Sequence, residues 1–90
     1  KILIMPAATV TPEEEKFILE LLNKFENCTW KKGDRVEKTM TERGDMHLEG
    51  DKGTLVGGMN VDNMEGYLVH FDNDADHIQV FTIKQKLKLI

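Results

Sequence analysis

The hydrophobic pattern of the chain changes at Trp30, from a helical period before it to a strand-like alternation after it. The apolar residues before it recur every three or four positions, at Phe17, Ile18, Leu21, Leu22 and Phe25. After it, short alternating runs are separated by glycine and by clusters of polar residues. The first pattern predicts one amphipathic helix and the second a set of short strands. We therefore expect a mostly β fold, α+β by content, in a single domain over residues 1–90.

The predicted helix covers residues 11–27 and has strong start signals. Thr11 is a suitable N-cap, Pro12 fits the first helical position, and Glu14 completes a capping box with Thr11. Residues 1–10 are expected to form an extended segment whose role stays open. The apolar stripe of the helix needs a surface to cover it, and we expect that surface to be the domain's own sheet.

The alternating runs predict five strands and the loops that join them. The strands are expected at 35–39, 52–58, 66–72 and 77–82 and in the closing segment 82–90. Polar loops are expected at 41–51 and 59–65, and a hairpin tip at 72–76. For the segment from Ile83 to Lys86, both a continuous strand and a single helical turn before the last strand fit the sequence.

Strand alternation also predicts which side chains face the core. The residues expected inside are Tyr67, Val69, Phe71, Ile78 and Val80. Leu68 and Phe81 then fall together on the outer face of neighbouring strands. An exposed apolar pair needs a cover, so we expect the helix stripe to pack on it.

Four stretches of the chain follow the skeleton of a known small barrel, namely GDRV at 33–36, GTLVGG at 53–58, GYLVHFD at 66–72 and the closing KLKLI. This skeleton resembles that of SH3-like barrels, including bacterial Tudor-like domains, over about residues 31–90. The resemblance implies a five-stranded barrel, to which the helix is added on the outer face. Such barrels bind proteins, nucleic acids or methylated side chains, so function stays open. A methyl-lysine cage is disfavoured because only Trp30 and Tyr67 could supply rings.

Composition limits the classes of function. The formal net charge is −4, with 40% hydrophobic and 31% charged residues, which is typical of a globular protein. Proteins dominated by contacts to nucleic-acid phosphate usually have a basic balance, so protein partners are favoured. Cys28 is the only cysteine, which favours a reducing, cytoplasmic setting. Because no apolar run is long enough to span a membrane, we expect neither a membrane protein nor a secreted one.

The tip sequence HFDNDADHI suggests a metal loop at first sight. The first three ligand positions of a calcium loop are matched by Asp72, Asp74 and Asp76. However, His77 and Ile83 stand where that loop needs a glycine and a bidentate glutamate. His70 and His77 flank the tip, but the pattern does not bring them together. We therefore expect no metal site, no cofactor and no catalytic residues.

We expect a non-catalytic interaction module that docks on a larger protein with a basic patch. The long first loop and the acidic tip should lie side by side at one end of the barrel. The expected partner-binding residues are Asp72, Asp74, Asp76, Met46 and His47. The alternative is a nucleic-acid-associated domain that uses a basic stripe of the first and last strands, formed by Lys84, Lys86, Lys88, Arg35 and Lys38. The oligomeric state stays open.

The expected packing of the helix gives a first prediction. Changing Phe17 or Leu21 to alanine should lower the free energy of unfolding by about 2 to 5 kcal/mol, the cost of truncating a buried large side chain. Urea denaturation measures this cost. Glu20→Ala, on the polar side of the helix, is the control and should change stability by less than about 0.5 kcal/mol. A change near zero at both apolar positions would contradict the packing.

Overall fold

The computed structural model describes residues 3–4, 13, 16, 20, 22–75 and 78–90. Its strands are β1 (Leu3–Ile4), β2 (Arg35–Lys38), β3 (Lys52–Val61), β4 (Met64–Phe71), β5 (Ile78–Ile83) and β6 (Leu87–Leu89). A 3₁₀ turn at Lys84–Lys86 precedes β6. The helical-turn alternative for this segment is therefore confirmed, and the continuous strand is wrong.

The strands β2 to β6 form an open antiparallel sheet. In this sheet β2 pairs with β3 and β6, and β4 pairs with β3 and β5. β1 is added in parallel to β5, with Leu3 opposite Ile78. The order across the sheet is β1-β5-β4-β3-β2-β6. The expectation of a mostly β fold is thus confirmed.

One hydrophobic core receives side chains from all the antiparallel strands. Its buried members are Val36, Leu55, Tyr67, Val69, Phe71, Val80 and Leu87. The partly buried residues that pack against them are Phe25, Cys28, Trp30 and Ile78. Of the predicted inward-facing residues, Ile78 packs against this core and the others are buried members of it, so that prediction is confirmed. Because β2 and β5 lie far apart in the sheet order, the sheet must curve for them to share one core.

The opposite face of β4 is covered as well. Leu68 is fully buried there and packs with Leu22, Val56, Met59 and Phe81. Leu68 and Phe81 therefore share the outer face, as predicted. Leu22 belongs to the predicted helix stripe, and the backbone N–H of Asn23 donates to the carbonyl of Val56 beside it. The segment that precedes the antiparallel sheet in sequence thus crosses over β3 and covers β4.

The predicted end of the helix at residue 27 is wrong. Leu22 forms an isolated β-bridge with Gly57, and Asn23 and Asn27 have left-handed backbone with φ of 63° and 58°. Asparagine adopts this conformation at low cost and commonly ends a helix. Helical conformation is described upstream at Glu13, Lys16 and Glu20. The rest of the predicted helix, with Phe17 and Leu21, lies outside the described residues.

The loop predicted at 59–65 is also wrong. β3 continues to Val61 and β4 begins at Met64, so that Asp62 and Asn63 alone make the turn. Their φ angles are 53° and 63°, the pattern of a two-residue type I′ hairpin turn. Aspartate and asparagine tolerate this left-handed conformation better than other residues with a Cβ atom. The polar residues of this stretch therefore lie on a hairpin and not in an irregular loop.

The left-handed turn predicts opposite effects for two substitutions at Asn63. Asn63→Gly should raise the free energy of unfolding by about 0.5 kcal/mol, because glycine has no steric cost in this conformation. Asn63→Ala should lower it by about 1 kcal/mol, because alanine keeps the contact between Cβ and the next carbonyl and lacks the polar side chain with which asparagine offsets that cost. Urea denaturation measures both.

Asn73→Ala is the matched control, since Asn73 is exposed in a turn but is not among the left-handed residues. It should change stability by less than about 0.5 kcal/mol. Equal effects of glycine and alanine at position 63 would contradict the turn.

Candidate functional site

The long loop between β2 and β3, residues 39–51, is held against the sheet by a buried ion pair. Lys38 Nζ lies 3.0 Å from Asp45 Oδ2, and only 4% of the Lys38 side chain is exposed. Lys86 Nζ lies 2.9 Å from the other carboxylate oxygen, Oδ1. The backbone N–H of Glu42 donates to Oδ2 over 2.9 Å. Both oxygens of Asp45 are therefore occupied, and the loop has a fixed anchor.

These donors hold the pKa of Asp45 well below its usual range. The largest cause is the hydrogen bond from the Glu42 backbone, followed by the hydrogen bond from Lys86, while desolvation acts in the opposite direction. The pKa of Lys86 is raised, chiefly because its ammonium donates to Asp45. Asp45 and Lys86 are therefore both charged at neutral pH.

His47 is the second anchor of the loop. Its ring stacks on Phe71 with a centroid distance of 3.8 Å and an interplanar angle of 15°. Its Nε2 lies 2.8 Å from Asp74 Oδ2 in the hairpin tip. Its backbone carbonyl accepts a hydrogen bond from Lys38 Nζ over 3.2 Å. The loop and the tip are thus neighbours, joined through a histidine side chain that is itself buried.

The residues on either side of His47 are exposed. Met46 is 40% exposed and Leu48 is 65% exposed. The backbone N–H of Leu48 donates to Asp51 Oδ2, and the backbone N–H of Asp51 donates back to the carbonyl of Leu48. The loop therefore presents two apolar side chains from a backbone that is fixed on both sides of them.

Internal contacts occupy the described part of the acidic tip. Arg35 donates two hydrogen bonds to Asp72, of 2.7 and 2.6 Å, and these lower the pKa of Asp72. Asp74 faces His47, and only 13% of its side chain is exposed. Asp72 is more open, with 54% of its side chain exposed. Asp76 lies outside the described residues.

Every side chain of the predicted basic stripe has a carboxylate within ion-pairing distance. The pairs are Arg35 with Asp72, Lys38 with Asp45, Lys84 with Glu65, Lys86 with Asp45 and Glu42, and Lys88 with Glu37. β6 does pair with β2, so the first and last strands of the predicted barrel are neighbours. The expectation that the stripe lies on the first and last strands is wrong for Lys84 and Lys86, because these two residues belong to the 3₁₀ turn.

A second polar cluster lies at the other end of β4, around Glu65. Its Oε2 accepts hydrogen bonds from the Thr29 backbone N–H over 3.1 Å, from the Thr29 hydroxyl over 2.6 Å, and from the Tyr67 hydroxyl. Lys84 Nζ lies 3.7 Å from the same oxygen. Desolvation raises the pKa of Glu65, but the hydrogen bonds from Thr29 and Tyr67 outweigh it and the pKa is lowered. This buried carboxylate is therefore charged.

Trp30 forms an aromatic wall beside Glu65. Its ring stacks on Tyr67 with centroids 5.1 Å apart, and its backbone N–H donates to the Tyr67 hydroxyl over 3.1 Å. Lys84 Nζ lies over the indole, 5.0 Å from the ring centroid. A cavity of about 370 Å³ opens here, lined by Trp30, Asn63, Glu65, Lys84, Gln85 and Leu87. We call this cavity the Trp30 pocket.

The sequence predictions did not include the Trp30 pocket. The strand alternation that places Tyr67 inside also places Glu65 on the same face, which is the one local signal for it. That signal was hidden because 59–65 was predicted to be a loop. Thr29 and Lys84 reach Glu65 from distant parts of the chain, and no local pattern marks either contact.

Over the described residues, no group of three or more His, Cys, Asp or Glu side chains is arranged to hold a metal ion. In the same part of the chain, no helix is both long enough and apolar enough to cross a membrane. Ile83, at the glutamate position of the calcium template, is a strand residue of β5. His77 lies outside the described residues.

Searches of family models, curated proteins and solved structures found no match to this chain. The geometry itself gives two candidate sites at opposite ends of β4. One is the Trp30 pocket. The other is the surface formed by Met46, Leu48 and Asp72 around the buried His47, which we call the loop-end surface.

Loss of the Asp45 charge should be costly, because it leaves the buried Lys38 ammonium without its counter-ion. Asp45→Asn should lower the free energy of unfolding by about 3 kcal/mol at neutral pH. Asp72→Asn, the same chemical change in an exposed pair, should cost at most about 1 kcal/mol. Urea denaturation measures both. Equal costs for the two variants would contradict the anchoring role of Asp45.

The free energy of unfolding should also depend on pH through the ionisation of Asp45. Because the pKa of Asp45 is lower in the folded chain than in the unfolded one, its contribution is complete above about pH 5 and declines as the pH falls through the folded pKa. The unfolding free energies of the wild type and of Asp45→Asn should therefore converge between about pH 5 and pH 2. A constant difference over that interval would contradict a charged Asp45 in the folded state.

Proposed function

We propose that this chain is a small, non-catalytic interaction module that docks on a larger protein through the loop-end surface. The observation that supports this proposal is the exposure of Met46 and Leu48 on either side of the buried His47. Exposed methionine and leucine on an irregular loop would ordinarily be mobile. In this chain the loop is fixed from beneath by His47 and by Asp45, so the apolar pair has a defined position.

Such a fixed loop favours binding because its conformational entropy is already lost before the partner arrives. Ordering one rotamer-rich side chain at an interface costs roughly 0.5 to 1.5 kcal/mol, and ordering a loop backbone costs more. The Lys38–Asp45 pair and the His47–Phe71 stack remove that backbone cost for residues 39–51. Met46 and Leu48 supply contact area, and the charge of the surrounding side chains determines what kind of partner surface is attracted.

Those neighbours are acidic. Asp72 and Glu42 have side chains that are 54% and 57% exposed. We propose that they contribute, together with the net charge of −4 on the chain, to attracting a basic patch on the partner, and that this attraction chiefly raises the rate of encounter. Asp74 and His47, both predicted as contacts, hold the loop to the tip in this proposal and do not touch the partner. Asp76 stays a proposed contact, outside the described residues.

We also propose that the sheet closes into an SH3-like barrel, and that the chain works in the cytoplasm. The strand order β6-β2-β3-β4-β5, the 3₁₀ turn before β6 and the shared core support the barrel. A cavity of about 220 Å³ is lined by β2 and β5 together, through Lys38 and Val80 among others. The single, free Cys28 supports a reducing compartment.

Nucleic-acid binding through the basic stripe has weaker support. Each of its five side chains already has a carboxylate partner within the chain. A phosphate would have to displace that partner, and the phosphate would approach a chain with a net charge of −4. These two costs favour the protein partner.

The test compares two double variants, each of which replaces two exposed apolar residues by serine. Met46→Ser with Leu48→Ser alters the loop-end surface, and Val61→Ser with Met64→Ser alters the strand residues that flank the β3–β4 turn, at the other end of β4. Immobilised wild type and variants are used to capture proteins from the native extract, and recovery is quantified by mass spectrometry. The loop variant should lower the recovery of a specific partner about tenfold or more, as at other apolar hot spots.

The turn variant should leave that recovery within about twofold, because rim or remote residues contribute little. With the purified partner, added salt should slow association much more than it speeds dissociation. Identical recovery with the loop variant and the wild type would refute docking through Met46 and Leu48. Capture of nucleic acid that is lost on neutralising Lys84, Lys86 and Lys88 would favour the alternative.

A further inference from the structure

The Trp30 pocket is built to receive a positive charge. Lys84 is the present occupant, with its Nζ 2.7 Å from Thr29 Oγ1, 3.7 Å from Glu65 Oε2 and 5.0 Å from the Trp30 ring centroid. A hydroxyl oxygen, an ionised carboxylate and the face of an indole all attract a cation. The chain therefore holds its own lysine in a site whose chemistry would suit a cation from outside.

One oxygen of the Glu65 carboxylate, Oε1, can accept a further hydrogen bond. Three donors reach Oε2, whereas the contact recorded at Oε1 is with Asn60 Nδ2 at 3.5 Å, the outer limit of a hydrogen bond. Glu65 is only 8% exposed, so water has little access to it. A buried, charged oxygen with one weak partner is a strong acceptor for a well-placed donor. Lys84 approaches the opposite oxygen and does not meet this need.

The geometry also allows Lys84 to leave. Its side chain is 35% exposed, and the turn that bears it is a single 3₁₀ turn without a side-chain cap. The cavity of about 370 Å³ is much larger than one ammonium group requires. A planar cation can therefore enter beside the indole while the Lys84 ammonium moves into solvent.

We propose that the Trp30 pocket binds the guanidinium group of an arginine side chain from a protein or peptide partner, and that Lys84 is the internal competitor for this site. A guanidinium is planar, stacks on an indole, and offers several N–H donors for the Glu65 carboxylate, which lines the pocket, and for Thr29 Oγ1, which Lys84 now contacts. A trimethylated ammonium has no donor for Glu65 and would need more rings than Trp30 supplies. This site lies at the opposite end of β4 from the loop-end surface and does not depend on it.

Trp30 provides the measurement, because it is the only tryptophan in the chain and forms the wall of the pocket. N-acetyl-arginine amide is titrated into the folded protein while tryptophan fluorescence is recorded. N-acetyl-lysine amide is titrated at the same ionic strength as the comparison. The arginine probe should give a saturable change and bind at least about threefold more tightly than the lysine probe, since it can stack and donate twice.

Three variants locate the binding. Lys84→Met removes the competitor and should tighten binding of the arginine probe by about tenfold, as expected when a competing occupied state is eliminated. Lys88→Met, which removes an exposed lysine of β6, should leave the affinity within about twofold, because only long-range screened charge is lost. Glu65→Gln keeps an acceptor for Thr29 and Tyr67 and should weaken binding by about tenfold, the loss of a charge-assisted hydrogen bond.

Circular dichroism and urea denaturation establish that each variant is folded. If Glu65→Gln does not fold, the comparison of Lys84→Met with Lys88→Met still tests whether the arginine probe binds in the Trp30 pocket. The proposal is overturned if Lys84→Met shows no saturable response, if Lys88→Met tightens binding equally, or if the two probes bind alike. The Met46→Ser, Leu48→Ser variant should bind the arginine probe like the wild type, which separates this site from the docking surface.

Discussion

Burial of β4 on both faces is the constraint on which the rest of the structure depends. Tyr67, Val69 and Phe71 fill the inner core, and Leu68 is covered on the outer face by Leu22. A strand without access to water on either face must pair its backbone groups with neighbours, and β3 and β5 do this along β4. The sheet then has to curve, because β2 and β6 must reach the same inner residues. The cover on the outer face must come from outside the sheet.

The two polar clusters lie at the two ends of β4, beyond the part of the strand that is buried on both faces. Near its start, Glu65 holds Thr29 and Tyr67 holds Trp30, and Phe71 at its end supports His47 of the long loop. Buried ion pairs add little net stability, because desolvation offsets most of their attraction. Their effect here is geometric, since removing one partner leaves an uncompensated charge and so only one arrangement is tolerated. Each cluster therefore gives a segment without regular structure a single conformation.

Strand faces could be predicted from the sequence because alternation is a local property that burial enforces at each position. The hairpin at 59–65 could not be recognised from polarity, since its residues are mostly exposed and look like a loop. The pair Asp62 and Asn63 indicates a hairpin more reliably than polarity does, because a type I′ turn needs two residues that tolerate the left-handed conformation. The site was harder to predict. Asp72 looks like a free carboxylate in the sequence, and its partner Arg35 is brought to it only by the pairing of distant strands.

Pairing of this kind changes how the acidic tip can attract a partner. An internal ion pair neutralises a carboxylate at close range, but it leaves the net charge of the chain at −4. The field that a partner meets within roughly a Debye length, about 8 Å at physiological ionic strength, depends on the summed charge and its distribution. In the proposed function, steering therefore comes from the acidic excess of the whole chain, and Asp72 is one contributor among many. Contact then depends on the apolar surface exposed at that end, which the pair Met46 and Leu48 supplies.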